Sequence, residues 1–401
     1  METGIGNLEN IPNNMEYGFE IKAASDTRIR SIDILRGIVM VLMAIDHVRV
    51  YSGIPAWGIG YGIFLTRWIT NFCAPAFTFL AGASAFLYGK RAGTLSELSK
   101  YLIGRGLMLV ILELTAIRFF WTFNFNYSNF LLAGIIWMLG WCMVILAAVV
   151  WLKPRSIAIA GLFVILFQNL FGLLPKLFPL TTQKYAGYAW EFIYPAGLHS
   201  LPGVTILYVL VPWIGVMMAG YGFGSVFLKN TEVRRKICLW TGLSSITLFI
   251  LIGCIVALTQ EPEYNMPFLQ RLLAQQKYPA SQLFLLMTLG PLITAIPFAE
   301  RITGWLGKVF YTFGKVPLFY YMVHIPVIHL GSLIIVYLKD RITFPGWYDT
   351  APFVEMPAAY QWSLPLLYAE FIGDVAFLYL ICAWYVRYKH AHPEKKWLRY
   401  F

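Results

Sequence analysis

The chain alternates long apolar segments with short polar loops. Ten segments are long enough to cross the hydrocarbon core of a bilayer, which takes about 20 predominantly apolar residues in a helix. They cover about 31–52, 61–88, 102–121, 130–152, 156–173, 204–228, 237–258, 281–299, 305–338 and 365–388. This pattern predicts an all-α, polytopic helical membrane protein with about ten transmembrane helices.

Composition agrees with the pattern. Hydrophobic residues make up 59% and charged residues 13% of the 401 residues, and the mean hydropathy is +0.64, which excludes an ordinary soluble domain. Residues 1–27 are polar and lack the apolar core of a signal peptide, so we expect a flexible cytoplasmic tail there. The expected division is this tail, a transmembrane domain over 28–388, and a basic cytoplasmic tail over 389–401.

Basic residues indicate how the spans are oriented. Lysines and arginines are concentrated in the two tails and in the even-numbered loops, and they are few in the odd-numbered loops. The positive-inside rule therefore predicts that both termini are cytoplasmic. The same alternation accounts for the net charge of +11 without a nucleic-acid partner, because the basic residues do not cluster in one domain.

The first span is unusual because it carries five ionisable residues: Asp33, Arg36, Asp46, His47 and Arg49. A charged side chain at the centre of a bilayer costs about 2.5–3.5 kcal/mol on insertion scales, so such a span calls for a functional explanation. Asp33 and Arg36, like Asp46 and Arg49, have the i, i+3 spacing of helical ion pairs. Arg36 and His47 project from the same face, about 16 Å apart along the axis, as one stripe.

His47 is the candidate catalytic group. The carboxylate of Asp46 could bond one ring nitrogen of His47 or stabilise its charged form, leaving the other nitrogen to take a proton from a hydroxyl or an amine. Sequence neighbours on a helix point about 100° apart, however, so Asp46 can instead pair with Arg49 while another group orients His47. The structural alternative is that these charges are interhelical ion pairs and that His47 packs in the core.

Further polar residues lie inside or beside later spans. Glu113 and Arg118 are five positions apart in the third span, so each needs a partner elsewhere, and Arg118 is expected near the outer surface. Lys315, near the inner end of the ninth span, could hold a phosphate or could be a snorkelling anchor. His324 precedes Pro326, whose missing N–H frees a carbonyl for a polar neighbour; site lining and core packing remain open for it.

Two other features bear on ligands. The five cysteines show no Cys-x-x-Cys spacing, so neither a disulfide framework nor a metal site is expected. The loops over about 174–203 and 339–364 are long and rich in aromatic and acidic residues, a composition that suits a carbohydrate acceptor.

Short motifs along the chain carry a family resemblance. In order, they are Leu35-Arg36-Gly37, Asp46-His47, Arg67-Trp68, 72–82, Glu113 with Arg118-Phe119, 212–215, 314–321 and His324-Ile325-Pro326. Their order, from about 28 to 388, resembles that of integral-membrane acyltransferases, in particular the bacterial relatives of heparan-α-glucosaminide N-acetyltransferase. The same superfamily includes polysaccharide O-acetyltransferases.

The resemblance implies an enzyme that takes an acetyl group from cytoplasmic acetyl-CoA, used as the acyl donor, and transfers it to a hydroxyl or amine of an extracytoplasmic sugar or glycan. It implies that His47 is a general base or a transient acyl carrier, with Asp46 tuning it. We expect Arg36, Asp33, Lys315 and Arg105 to hold CoA. The expected supporting residues are Arg49, Glu113, Arg118, Trp213 and His324.

The expected location is a bacterial cytoplasmic (inner) membrane, in contact with lipid, and a homodimer is compatible with the sequence. The competing hypothesis is a proton-coupled secondary transporter or exporter whose charged helices relay protons. Against it, the two halves of the sequence show no obvious repeat and no interrupted spans in matching positions.

Overall fold

The computed structural model describes residues 29–55, 60–128, 130–195, 197, 203–259 and 266–399. The tail predicted over 1–27 lies outside these residues. Helices account for 77% of the structure, which confirms the all-α class.

The described chain forms a series of α-helices joined by short connections. They are α1 (Arg30–Tyr51), α2 (Tyr61–Thr70), α3 (Cys73–Ala92), α4 (Leu95–Leu112), α5 (Arg118–Thr122), α6 (Ile135–Val149), α7 (Pro154–Leu166), α8 (Leu170–Leu173), α9 (Leu180–Ile193), α10 (Trp213–Phe223), α11 (Thr231–Thr259), α12 (Phe268–Leu273), α13 (Gln282–Ala299), α14 (Gly304–Lys315), α15 (Pro317–Asp340) and α16 (Leu364–Ala391). A π-helical turn, Glu113–Ile117, joins α4 to α5. Two short parallel strands, β1 (Leu131–Ala133) and β2 (Val204–Ile206), pair with Leu131 opposite Val204.

Several of these helices are long and apolar enough to cross a membrane, which marks the chain as a membrane protein. Within the described ranges, five spans meet the length and hydropathy expected of a transmembrane helix: α2 together with α3, and α11, α13, α15 and α16. Helix α7 and the following helical segment, Leu170–Leu177, meet at a bend of 61°. If these two segments form one broken span, the count rises to six. The count of ten spans and the cytoplasmic placement of both termini remain predictions.

The segment predicted as a ninth span, 305–338, is two helices. Helix α14 ends at Lys315 and α15 begins at Pro317, while Val316 between them has the non-helical angles φ −132° and ψ 54°. A residue that precedes proline is pushed out of the helical region by the proline ring, which explains the break. The predicted loop over 174–203 likewise contains a helix, α9.

Helix α1 lies inside the bundle, where it packs against α2, α3, α13, α14, α15 and α16. Its closest approach is to α14. A Cβ atom added at Gly37 would overlap the carbonyl oxygen of Phe310, and one added at Gly314 would overlap the carbonyl oxygen of Asp33. The two backbones therefore touch through glycines, as in the small-residue interfaces of membrane helices.

This contact predicts that Gly314→Ala lowers the thermal stability of the purified protein in detergent. Because the added methyl group would overlap backbone of α1, we expect a loss of about 1–3 kcal/mol, the usual cost of overpacking, and a lower Tm by tryptophan fluorescence. The matched control is Gly373→Ala in α16, where nothing lies within 4 Å of the added atom and the alanine favours the helix. Equal melting temperatures for the two variants would contradict the close α1–α14 contact.

Candidate functional site

A cavity of about 350 Å³ lies at the Tyr51 end of α1. Its polar and aromatic lining comes from α1, α2, α3, the π-helical turn, α5, α15 and the connections before α10 and α13. These side chains are Asp46, His47, Arg49, Arg67, Thr70, Cys73, Glu113, Trp121, Tyr208, Lys277, Tyr278 and Tyr321. The loop predicted for acceptor binding over 339–364 adds Pro352, Phe353 and Val354, whereas α9 contributes no lining residue.

The imidazole of His47 contacts a second imidazole. Its Nδ1 lies 2.6 Å from Nε2 of His324 on α15, and Nδ1 of His324 lies 2.7 Å from the carbonyl oxygen of Tyr321 and 3.1 Å from that of Tyr320. A carbonyl oxygen only accepts hydrogen bonds, so Nδ1 of His324 carries a proton and donates it. In a neutral ring Nε2 then accepts, and the proton between the two rings belongs to Nδ1 of His47.

The neutral form of His324 is the one that fits its surroundings. The ring is 0% exposed, and no carboxylate among the described residues bonds to it. An unpaired charge in such a place would be costly. The lone pair of His47 that remains is therefore on Nε2, and the ring lies at the cavity wall, with Trp121 edge-on at 4.8 Å. The pair leaves His47 able to accept a proton at Nε2.

His324 does not donate to the backbone carbonyl that Pro326 leaves without a donor. Pro326 deprives the carbonyl of Met322 of its usual helical donor, whereas His324 donates to Tyr320 and Tyr321 instead. Sequence reasoning singled out His324 but did not join it to His47, because the two lie far apart in the chain.

Asp46 pairs with Arg49 and does not bond His47. Oδ1 of Asp46 accepts from Nε of Arg49 at 3.0 Å, and Nη1 of Arg49 donates to the carbonyl of Ile54 at 3.1 Å. The expectation that Asp46 orients His47 by a hydrogen bond is therefore corrected, and the alternative that another group orients it is the one found. The reason is helical geometry, since positions i and i+3 share a face and adjacent positions do not.

Glu113 finds its partner at the start of another helix. Its Oε2 accepts from the backbone N–H of Ile136 at 3.1 Å, at the first turn of α6. A carboxylate at this position is favoured by the unpaired N–H groups and by the helix dipole. A Cβ atom added at Gly134 would overlap Oε1, so the glycine leaves room for the carboxylate.

Arg118 and Trp213, which were expected to support the site, lie outside the described cavity lining. Arg118 donates from Nε to the carbonyl of Phe130 at 3.1 Å and from Nη2 to that of Asn126 at 2.6 Å, and so holds the turn after α5. The ring of Trp213 is fully buried, with its centroid 5.6 Å from that of Tyr208, which lines the cavity.

The residues expected to hold CoA lie away from this cavity. Nη2 of Arg36 donates to Oγ of Ser84 at 2.6 Å, and Nη1 lies 4.0 Å from Oδ1 of Asp33. Nζ of Lys315 lies 3.4 Å from Nε2 of His390, and Nη1 of Arg105 donates to the hydroxyl of Tyr101 at 3.3 Å. None of these basic residues contributes to the described lining.

The predicted stripe from Arg36 to His47 is interrupted. Met40, between them on α1, is 1% exposed and fills the space, and the cavity ends at Met43. Eleven residues of helix separate Arg36 from His47 by about 16 Å, which is too far for one small cavity to join them. In this conformation the cavity therefore reaches His47 only from the Tyr51 end of α1.

Lys277 is a functional candidate that sequence reasoning missed. It lies between α12 and α13 and lines the same cavity as His47. Burial works against its charged form, but the neighbouring Tyr278 and Asp46 outweigh burial and raise its pKa, so Lys277 is an ammonium ion at neutral pH. No local pattern marks it, because only tertiary packing brings this loop to α1.

Two phenols lie beside Lys277 in the lining. The hydroxyl oxygens of Tyr208 and Tyr278 are 3.4 Å apart, and either can donate to the other. Burial, and then the nearby Tyr278, raises the pKa of Tyr208 well above its ordinary value, so this phenol stays neutral. The hydroxyls add hydrogen-bonding groups that suit a sugar. Among the described residues, no group of three or more His, Cys, Asp or Glu is arranged to hold a metal ion.

Comparison with protein families gives a match. A family model described as heparan-alpha-glucosaminide N-acetyltransferase, catalytic, matches residues 28–259, more than half of the chain. The matched region includes His47, Asp46, Arg67 and Glu113, whereas His324 and Lys277 lie beyond it. Comparison with curated proteins gives no match.

The contact between Glu113 and α6 predicts a loss of stability in Glu113→Ala. Removal of the carboxylate leaves the N–H of Ile136 without its acceptor, and the loss of a helix cap costs about 0.5–2 kcal/mol. Glu113→Gln keeps an oxygen acceptor, so its Tm should fall between those of wild type and Glu113→Ala. If all three proteins melted at the same temperature, the capping role would be wrong.

Proposed function

Because the chain belongs to the heparan-α-glucosaminide N-acetyltransferase catalytic family, we propose that it transfers an acetyl group from acetyl-CoA to a hydroxyl or amine of an extracytoplasmic sugar or glycan. The observation that carries this proposal is the His47–His324 pair at the cavity wall, with its proton on Nδ1 of His47. A histidine with a free Nε2 is the group that a direct acyl transfer needs as its base.

In the proposed reaction, the acceptor binds in the cavity with its hydroxyl or amine against Nε2 of His47. Nε2 takes the proton while the acceptor oxygen or nitrogen attacks the thioester carbonyl, and a bond to carbon forms. The carbon–sulfur bond then breaks, the CoA thiolate leaves, and the imidazolium returns the proton to it. In the variant route, Nε2 attacks the thioester first, the carbon–sulfur bond breaks, and His47 carries the acetyl group as an acyl-imidazole while CoA leaves as a thiolate. The acceptor then attacks the acetyl carbon, the bond from that carbon to Nε2 breaks, and the acceptor proton passes through Nε2 to the thiolate.

His324 acts on this reaction through His47 and is a positioning residue. Its Nε2 accepts from Nδ1 of His47, which fixes the tautomer and the ring orientation that leave Nε2 available. When His47 becomes an imidazolium, the lone pair of His324 and the nearby carboxylate of Asp46 favour the positive charge. Asp46 therefore acts by its field rather than by a hydrogen bond.

The donor is proposed to approach from the other end of α1. There, Arg36, Lys315 and Arg105 would meet the phosphates of CoA on the cytoplasmic side, as the distribution of basic residues suggests, and Asp33 would orient Arg36, whose Nη1 lies 4.0 Å from Oδ1 of Asp33. The thioester would reach His47 only after Met40 moves, and methionine is a flexible side chain that can repack. The five apolar spans support a place in a membrane, proposed to be a bacterial cytoplasmic membrane.

We predict that His47→Ala abolishes most acetyl transfer by the purified protein. With radiolabelled acetyl-CoA and glucosamine-terminated oligosaccharides, kcat should fall about 10²–10⁴-fold, the usual contribution of a general base. The control is His329→Gln, since His329 lies on the same helix as His324 but outside the described cavity lining. Acceptor-dependent CoA release at the wild-type rate in His47→Ala would refute the role of His47, and counterflow of intact acetyl-CoA would favour a transporter.

Variants of His324 test its positioning role separately. His324→Ala should lower kcat, and His324→Gln, which can present an oxygen to Nδ1 of His47, should recover part of the loss. The double variant with His47→Ala should be no slower than His47→Ala alone, because residues that act as one unit are not additive. Independent, multiplicative losses with no recovery in His324→Gln would mean that His324 is only a packing residue.

A further inference from the structure

Cationic side chains outnumber carboxylates among the described residues that line the cavity. The carboxylates are Asp46, which pairs with Arg49 at 3.0 Å, and Glu113, which accepts from the first turn of α6 at 3.1 Å. The cationic side chains are Arg49, Arg67 and Lys277. Lys277 comes from a loop that neither carboxylate belongs to.

Lys277 is held in place without a carboxylate. No described Asp or Glu lies within ion-pair distance of it, and its Nζ lies 5.4 Å from the ring centroid of Tyr278. An isolated bridge between Lys277 and Ala280 fixes the backbone of the loop. A half-buried ammonium group has three hydrogens to donate, and the lowest-energy partner for them is an anion.

Arg67 adds a second cation of a different shape. It lies in the last turn of α2 and is half-buried. A guanidinium group presents a planar fork of donors that matches the oxygens of a carboxylate, sulfate or phosphate. The hydroxyls of Tyr208 and Tyr278 in the same lining can donate to the same kind of oxygen.

We infer that Lys277 and Arg67 form an anion-binding subsite in the His47 cavity, which receives a carboxylate, sulfate or phosphate group of a substrate. This subsite rests on the proposed function, because it names the chemistry that the same cavity selects. The anion is an acidic substituent on the acceptor, because the phosphates of CoA are proposed to lie at the other end of α1. Charge attraction in a partly dry cavity would hold this substituent.

The test compares neutral and acidic acceptors. Purified wild type, Lys277→Gln and Arg67→Gln are assayed with acetyl-CoA and either glucosamine or glucosamine 6-phosphate. If the anion belongs to the acceptor, Lys277→Gln should lower the ratio of kcat/KM for the phosphorylated acceptor to that for glucosamine at least tenfold. The preference of wild type should weaken as salt is added. Lys339→Gln is the matched control, because Lys339 pairs with Asp340 outside the described lining.

A second assay tests the donor as another source of the anion. Acetyl-CoA is compared with its 3′-dephospho form, and Lys277→Gln should raise the KM of the two donors equally. A rise in KM that is smaller for the dephospho form would assign the anion to CoA and contradict the acceptor subsite. The subsite is also refuted if the ratio of kcat/KM for glucosamine 6-phosphate to that for glucosamine is the same in wild type, Lys277→Gln and Arg67→Gln.

A binding readout keeps the subsite independent of turnover. Cys73 lines the same cavity, so it serves as a reporter in a full-length protein whose other four cysteines are serine. Glucosamine 6-phosphate should slow its modification by a small methanethiosulfonate, and this protection should be lost in Lys277→Gln. Protection without any acetyl transfer would refute the proposed function but not the subsite. Equal protection with and without Lys277→Gln would refute the subsite.

Discussion

The hydrogen bond between Nδ1 of His47 and Nε2 of His324 is the interaction on which the site depends. It joins α1 to α15, and its direction is set by the two carbonyls that accept from the far nitrogen of His324. Because carbonyls cannot donate, the protons along this chain have one consistent arrangement. That arrangement leaves Nε2 of His47 with a lone pair at the wall of a polar cavity.

Helix α1 can hold five ionisable groups inside the bundle because each has a local partner. Asp46 and Arg49 neutralise each other, Arg36 bonds to α3 near Asp33, and His47 bonds to His324. Close glycine contacts with α14 fix the helix where these partners can be reached. The same burial strengthens the field of the cations beside His47, and this field favours the neutral imidazole, the form that can act as a base.

Features that depend on residues close together in the chain could be predicted from the sequence. It predicted the helical membrane class and the Asp46–Arg49 pair, because each follows from hydropathy or from i, i+3 spacing. It could not predict the partner of His47, the cap that Glu113 provides or the cavity position of Lys277, since these are contacts between distant segments. The break at Val316 was signalled by Pro317, but the apolar run around it concealed the signal.

The central claim concerns one proton, and nuclear magnetic resonance can locate it. The full-length protein in lipid bilayers is labelled with ¹⁵N-histidine, and the signals of His47 among the six histidines are identified by their loss in His47→Ala. At neutral pH the account predicts a protonated Nδ1 correlated with Nε2 of His324, and an unprotonated Nε2 in His47. A proton on Nε2 of His47, or no correlation between the two rings, would contradict it.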